Sequence, residues 1–297
     1  MIPAGIGRNG NWMSPSEAKS DGSRAGPTAE WTGWRDAASP AMRSRRRSNY
    51  GSLILQFALK DFKIRYTHSV LGYTWSVINP VIFFGLYYIV FSVFMRFEIP
   101  RYPAFLLLSV VMWNFFSEGS SRGTGSLLAR ADVLSKMVLP REVVVYSALL
   151  SAGLTFVINL AVLMVLLWVT GTVVGAPAVC FVLLLVDLVA LTLGMSLLLA
   201  PIYVRFRDIG YLWNIALQVG FWVTPILYSE LMIPEKWRWM VWWNPVARII
   251  GDARRSVVYG VWPGSRGLII TTLYSLGICI LGALVFRRLQ ARVVEHL

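Results

Sequence analysis

The chain has 297 residues, 56% hydrophobic and only 14% charged, with a formal net charge of +13 and a mean hydropathy of +0.60. Soluble domains carry about 25% charged residues, so an ordinary water-soluble enzyme is excluded and an all-α integral membrane protein is expected.

Residues 1–49 are rich in Ser, Gly, Pro and Arg and contain no apolar run of the kind that drives secretion, so they are expected to form a disordered basic cytoplasmic arm. Its end, Arg43-Ser-Arg-Arg-Arg47, suits anionic lipid heads or a specific partner. In residues 50–67 the apolar Ile54, Phe57, Ala58 and Phe62 follow helical spacing beside Lys60, Lys63 and Arg65, the pattern of an amphipathic interfacial helix.

Charge-free intervals then locate the spans, because a charge at the centre of the hydrocarbon costs several kcal/mol. They give six transmembrane helices at about 70–95, 102–121, 143–170, 177–204, 209–229 and 267–286. The second is interrupted by Glu118 and Arg122, and the third and fourth are divided by the break signal Gly171-Thr-Val-Val-Gly-Ala-Pro177. Cys180 and Cys279 fall inside spans and read as small apolar residues. Asp187 sits near mid-membrane without a paired base, which favours a hydrogen-bonded structural role over a proton relay.

With both termini in the cytoplasm, the inner loops and the tail hold twelve Lys and Arg against eight outside, even before the arm is counted. Six of those eight gather in the last outer loop, 230–266, the one departure from the positive-inside rule. That loop also places four Trp within 234–245, a composition for helices that re-enter or lie on the outer leaflet. Its arginines, including Arg248, Arg254 and Arg255, suit either an anionic lipid head group or plain anchoring. The inner loop 124–142 can form a short amphipathic helix, which fits a surface for a soluble partner and a lipid-lying helix equally.

No HExxH, CxxC or GxxxxGK[ST] pattern occurs, and the two histidines lie far apart. The chain is therefore expected to be no enzyme, to bind no metal or cofactor of its own and no nucleic acid, and to draw its energy from a partner.

Four stretches carry a family resemblance. The segment Asp61-Phe-Lys-Ile-Arg-Tyr-Thr-His-Ser-Val-Leu-Gly-Tyr-Thr-Trp-Ser-Val-Ile-Asn-Pro80, then Trp113-Asn-Phe-Phe116, then Lys136-Met-Val-Leu-Pro-Arg-Glu142, then Phe206-Arg-Asp-Ile-Gly-Tyr211 with Thr224-Pro-Ile-Leu-Tyr228 and Pro234-Glu-Lys-Trp-Arg-Trp239 resemble type-2 ABC transporter permeases that export O-antigen, capsule and teichoic acid. The resemblance covers residues 50–297. It implies a homodimer of six-span subunits in the bacterial inner membrane, a separate nucleotide-binding ATPase subunit that holds ATP and Mg, and a polyprenyl-pyrophosphate-linked glycan as cargo. It also implies that the loop bearing Arg130, Asp132, Lys136 and Arg141 is the coupling helix, that 50–67 is the gate helix, and that the outer-loop helices form a periplasmic gate.

The glycan path is expected on two aromatic faces, Phe84, Tyr87, Tyr88 and Phe91 on the first span and Gln218, Phe221, Trp222 and Pro225 on the fifth, with Trp113, Phe116 and Tyr228 from the resembling stretches. The same stripes also fit simple helix packing. Lys63, Arg65, Arg205 and Arg207, with the three outer arginines, are the expected head-group or gate residues. Rival expectations are a small-molecule or drug exporter of the same superfamily and a membrane-embedded glycosyltransferase, the latter needing paired acids at the outer surface. Arg far outnumbers Lys, a bias of GC-rich genomes that suits a wall-polymer cargo such as a lipid-linked galactan.

Overall fold

The computed structural model describes residues 40–66, 72–96, 98–136, 139–172 and 174–293. The expected arm at 1–39 lies outside the described residues. Two units are distinguished: Met1–Ser48, represented by the first residues of one helix, and Asn49–Leu297, which holds everything below. Among the described residues every regular element is helical.

Helix α1 covers Pro40–Tyr66 and begins well before the expected start at Tyr50, with a proline at its first position, where a missing N–H costs nothing. Helix α2, Trp75–Tyr88, runs on as a π-helical turn, Ile89–Phe94. Then come α3 (Tyr102–Ala129), α4 (Ala131–Lys136), α5 (Glu142–Val169), α6 (Val179–Arg205) and α7 (Asp208–Val223). The short α8 (Trp239–Trp243) and α9 (Pro245–Ala253), the latter extended by a π turn at Arg254–Val258, precede the long α10 (Ser265–Val293).

Among the described residues four stretches are long and apolar enough to cross a membrane: Trp75–Phe94, Glu142–Val169, Ala176–Arg205 and Ser265–Gln290, with mean hydropathies between 2.0 and 2.5. The other two expected spans fall short for different reasons. Helix α3 has the length, 28 residues, but its second half carries Glu118 and Arg122; α7 has only 16 residues.

Two boundaries differ from expectation. Helix α7 stops at Val223 because Thr224 precedes Pro225, and a residue before proline is driven out of the helical region; Thr224 is extended, with ψ 125°. Pro225 therefore lies beyond the helix and does not kink it, which removes it from the face shared by Gln218, Phe221 and Trp222. In the 124–142 loop, α3 continues through Ala129, and only the single turn and a half of α4 is separate.

Helix α6 is the hub, lying against α3 on one side and α10 on the other. Both contacts are made by small residues. A side chain at Gly194 would meet the Cys279 and Ile278 backbone of α10 at 2.7 Å, and one at Gly282 would strike the Gly194 carbonyl. On α3, Gly119 and Gly123 face Thr192 and Ser196 in the same way. Close backbone approach gives van der Waals contact where lipid offers no hydrophobic drive for helices to associate. Asp187, buried in α6, accepts a hydrogen bond from Thr272 Oγ1 of α10 at 2.9 Å, which supports the structural role.

The outer faces of α2, α5, α6 and α10 expose Ile82, Val165, Val182, Ile280 and similar residues, a surface suited to lipid. The largest buried cluster instead gathers on α3, including Phe105, Leu108, Met112 and Phe115.

Gly282→Val is expected to cost about 3 kcal/mol or to prevent assembly, because the new atoms meet backbone. Gly277→Ala, on the same helix with open space around it, is expected to be neutral or mildly stabilising. Thermal melts of the two detergent-purified variants check the contrast.

Candidate functional site

A cavity of about 500 Å3 opens among α1, α2, α3, α5 and α7. Its lining mixes amides and hydroxyls (Ser76, Asn79, Asn114, Thr155, Asn159) with the rings of Trp75, Tyr87 and Phe221.

Arg65 and Glu118 close one end. Arg65 Nη1 lies 2.6 Å from Glu118 Oε1 and donates to Thr155 Oγ1 at 3.3 Å, and Arg122, one turn along α3, reaches the same carboxylate oxygen at 3.0 Å. Two guanidiniums at one carboxylate offset part of the cost of placing an acid in this half-buried position of α3. The acid is thus paired within the protein. Higher in the cavity, Asn159 is 4% exposed and its Oδ1 accepts no hydrogen bond among the described residues. A buried acceptor without a donor costs about 1–3 kcal/mol, so the cavity favours an occupant with hydroxyl donors, a sugar or water.

The two aromatic faces expected from sequence do converge. Tyr87 and Phe221 meet with ring centroids 5.9 Å apart, and Trp113 meets Phe221 edge-on at 6.1 Å. The faces then divide by depth of burial. Tyr87 and Phe221 line the cavity. Phe84 and Tyr88 stack on each other, Tyr88 on Tyr102, and Phe91 packs on the same core. Trp113 and Phe116 are buried at 6% and 5% exposure and act as helix packing. Gln218 and Trp222 lie on the exposed side of α7, and the Tyr228 hydroxyl donates to the Trp222 carbonyl at 2.7 Å.

Of the expected coupling residues, Asp132 and Lys136 are exposed on α4 and Arg141 is half-buried at the start of α5. Burial lowers the Arg141 pKa from its ordinary value. Arg130 turns the other way. It pairs with Asp61, donates to Ser147 Oγ at 2.6 Å and to the Phe57 carbonyl at 3.4 Å, and lies 4.5 Å over the Phe57 ring. It fastens α1 to α3 and α5.

The expected head-group residues also separate. Lys63 is exposed on α1, whereas Arg65 belongs to the cavity. Arg205 lies 5.5 Å over Phe206, and Arg207 is exposed just ahead of α7. Arg254 is buried, 3.5 Å over the Phe105 ring, and donates to Ser109 Oγ at 2.7 Å and the Ile226 carbonyl at 2.8 Å. Burial pulls its pKa down to about 9, still charged at neutral pH. Its contacts are protein atoms, so it holds α9 and the 224–228 segment to α3. Tyr102 reinforces this by donating to the Leu227 carbonyl at 2.9 Å. Arg248 donates to Thr271 Oγ1 and the Gly267 carbonyl of α10, both at 3.1 Å, and Arg255 pairs with Glu230 at 2.7 Å and Asp252 at 3.5 Å.

Asn79, Asn114, Thr155 and Asn159 escaped the sequence reading. Their signal was available: amides are rare inside apolar spans and usually seek protein or ligand partners.

The family model described as ABC-2 type transporter matches residues 53–257, which includes the second half of α1, the cavity and the α9 segment. The chain belongs to the ABC-2 type transporter family. Similar proteins include an O-antigen export system permease protein RfbA of Klebsiella pneumoniae, 34% identical over 251 residues, covering 82% of this chain and 95% of the relative. A protein of the same name from Myxococcus xanthus is 31% identical over 197 residues, 65% of this chain and 74% of the relative. The polysialic acid transport protein KpsM of Escherichia coli is 22% identical over 233 residues, 77% of this chain and 90% of the relative.

In this ABC-2 type transporter the α1 clamp is open to test. Arg130→Ala is expected to weaken the docking of α1 by about 2 kcal/mol, seen as roughly 30-fold faster amide exchange across residues 57–65.

Proposed function

We propose that the chain is the transmembrane subunit of an ATP-driven exporter that moves a polyprenyl-pyrophosphate-linked polysaccharide from the inner to the outer leaflet. The observation that carries this reading is the cavity in which Asn79, Asn114 and Asn159, the last with a buried Oδ1 that accepts no hydrogen bond among the described residues, stand beside Tyr87 and Phe221. Amides and hydroxyls match sugar hydroxyls, and flat rings match sugar C–H faces without a fixed register, the combination a sliding glycan needs. The O-antigen and polysialic acid roles in the names of the relatives support the same cargo class.

In this reading the chain crosses the membrane six times. Helix α3 at 28 residues spans about 42 Å, and α7 at 16 residues reaches about 24 Å, with 224–228 completing its crossing. The α1 and α4 end faces the cytoplasm together with both termini, as the distribution of Lys and Arg favours. Two copies form the working unit. A separate nucleotide-binding subunit docks on the exposed Asp132 and Lys136 of α4 and supplies the energy of ATP hydrolysis with its own Mg. Motion at α4 reaches α1 through Arg130 and the cavity through the Arg65–Glu118 pair, so the path opens without any chemistry by this chain. The exposed Gln218 and Trp222 of α7 extend the path toward the second copy.

The membrane-enzyme alternative requires free acids on the outer surface. Glu230 and Asp252 do approach one another, but both are held by Arg255.

Tyr87→Leu and Asn159→Leu are each expected to lower surface glycan about tenfold and to cause lipid-linked glycan to accumulate inside the cell, with dimer and ATPase assembly intact. Normal export from a properly assembled double variant would remove the cavity from the path. Turnover of a lipid-linked sugar by the purified chain without ATP would replace the exporter reading altogether.

A further inference from the structure

A second cavity, of about 600 Å3, lies between the 230–242 segment, α9 and the start of α10 and shares no lining residue with the first. Four arginines line it, Arg238, Arg248, Arg255 and Arg266, against two acids, Glu230 and Asp252.

The arginines are not equivalent. Arg255 is spent on both acids, at 2.7 Å to Glu230 and 3.5 Å to Asp252. Four guanidiniums against two carboxylates leave two positive charges in excess, and the other three arginines have no ion pair with an acid of the cavity. Arg248 is held in place by Thr271 Oγ1 and the Gly267 carbonyl, which use Nε and Nη2 and leave Nη1. Arg238 donates through Nε to the Ile233 carbonyl at 3.2 Å and approaches Glu235 at 3.5 Å. Arg266 has no ion pair or hydrogen bond among the described residues, and it stands on the first turn of α10, whose 29 residues add a positive helix end. Burial raises the Asp252 carboxyl pKa from its ordinary value, opposed by Arg255 and Arg248.

The rest of the wall is apolar. Leu231, Trp242 and Ile270 line the same cavity and are largely exposed, at 76%, 67% and 42%. A cation cluster beside an exposed apolar rim, with Trp in the position it favours at a membrane interface, is the surface complement of an amphiphile: an anionic head with a hydrocarbon tail. Guanidinium forks match phosphate oxygens in geometry as well as charge.

We propose that this outer cavity binds the phosphate group of a membrane lipid, with Arg238, Arg248 and Arg266 on the head and Leu231, Trp242 and Ile270 along the start of the tail. The site is separate from the polar cavity at the α1 end, and binding here does not require that the transported cargo be a glycan. Two lipids share the chemistry, an anionic phospholipid of the outer leaflet and a polyprenyl pyrophosphate. Arg254, though flanked by these residues in sequence, takes no part because its guanidinium is buried against Phe105.

The test is lipid binding by the purified full-length protein in neutral detergent, read by native mass spectrometry and by Trp fluorescence. The probes are dioleoyl phosphatidylglycerol, a polyprenyl pyrophosphate and, as the phosphate-free control, dioleoylglycerol. Both phosphate lipids are expected to bind more tightly than dioleoylglycerol, and Arg238→Ala with Arg266→Ala is expected to weaken them at least tenfold. Arg288→Ala, an exposed charge near the other end of α10, is expected to leave binding unchanged. Both lost arginines are exposed or half-exposed, and Arg266→Glu provides a second variant that reverses the charge at a position with no internal partner. A pyrophosphate lipid held about tenfold more tightly than phosphatidylglycerol would assign the site to a carrier lipid, and equal binding would assign it to the phospholipid. Wild-type affinity in the double variant and in Arg266→Glu, or an equal loss in Arg288→Ala, would overturn the proposal.

Discussion

Close backbone contact between α6 and its neighbours is the constraint on which the rest of the structure depends. Lipid is as apolar as the helix surfaces, so nothing draws helices together except contact, and contact at this range requires glycine. Gly194 and Gly282 let α6 and α10 touch backbone to backbone, and Gly119 and Gly123 seat α3 on Thr192 and Ser196. With α3, α6 and α10 fixed in this way, some buried polar groups of the bundle find partners across or within the helices. Asp187 meets Thr272, and the Ser196 hydroxyl bonds back to Thr192. Each is tolerable in a dry interior because it is hydrogen-bonded.

Helix α3 carries this arrangement to both ends of the molecule. At one end Arg130 and Glu118 bind α1 through Asp61 and Arg65. At the other, Tyr102, Phe105 and Ser109 hold the 224–228 segment and Arg254. The same helix therefore receives both α1 and α9, and its middle turns, from Val110 to Glu118, line the polar cavity. The charges of α3, Glu118 and Arg122, lie in its second half and pair with each other and with Arg65, and its first half, Tyr102 to Phe116, belongs to the largest buried apolar cluster.

The spans at α2, α5, α6 and α10 were legible as uninterrupted apolar runs, since a membrane crossing is a local property of composition and length. The aromatic stripes on α2 and α7 were legible too, as helical spacing. What spacing could not decide is which ring faces what. Tyr87 and Tyr88 are neighbours in sequence, yet one lines a cavity while the other stacks on Tyr102. The end of α7 shows a different limit: Thr224-Pro225 carries a stop signal, but the apolar run continues past it, and hydropathy alone extends the helix too far.

The charges show the division most clearly. Composition by itself determined that this is a membrane protein with an excess of arginine, and that six Lys and Arg gather in the segment 230–266. Only the tertiary structure decided what each arginine does. Arg254, Arg255 and Arg266 lie within one loop and the helix that follows it, yet one is buried on Phe105, one is paired with two acids and one is open to a cavity. The reason is physical: a guanidinium takes its role from the acceptors within about 3 Å of it, and those are supplied by α3, the 224–230 segment and α10, elements far apart in sequence that meet only when the glycine contacts close.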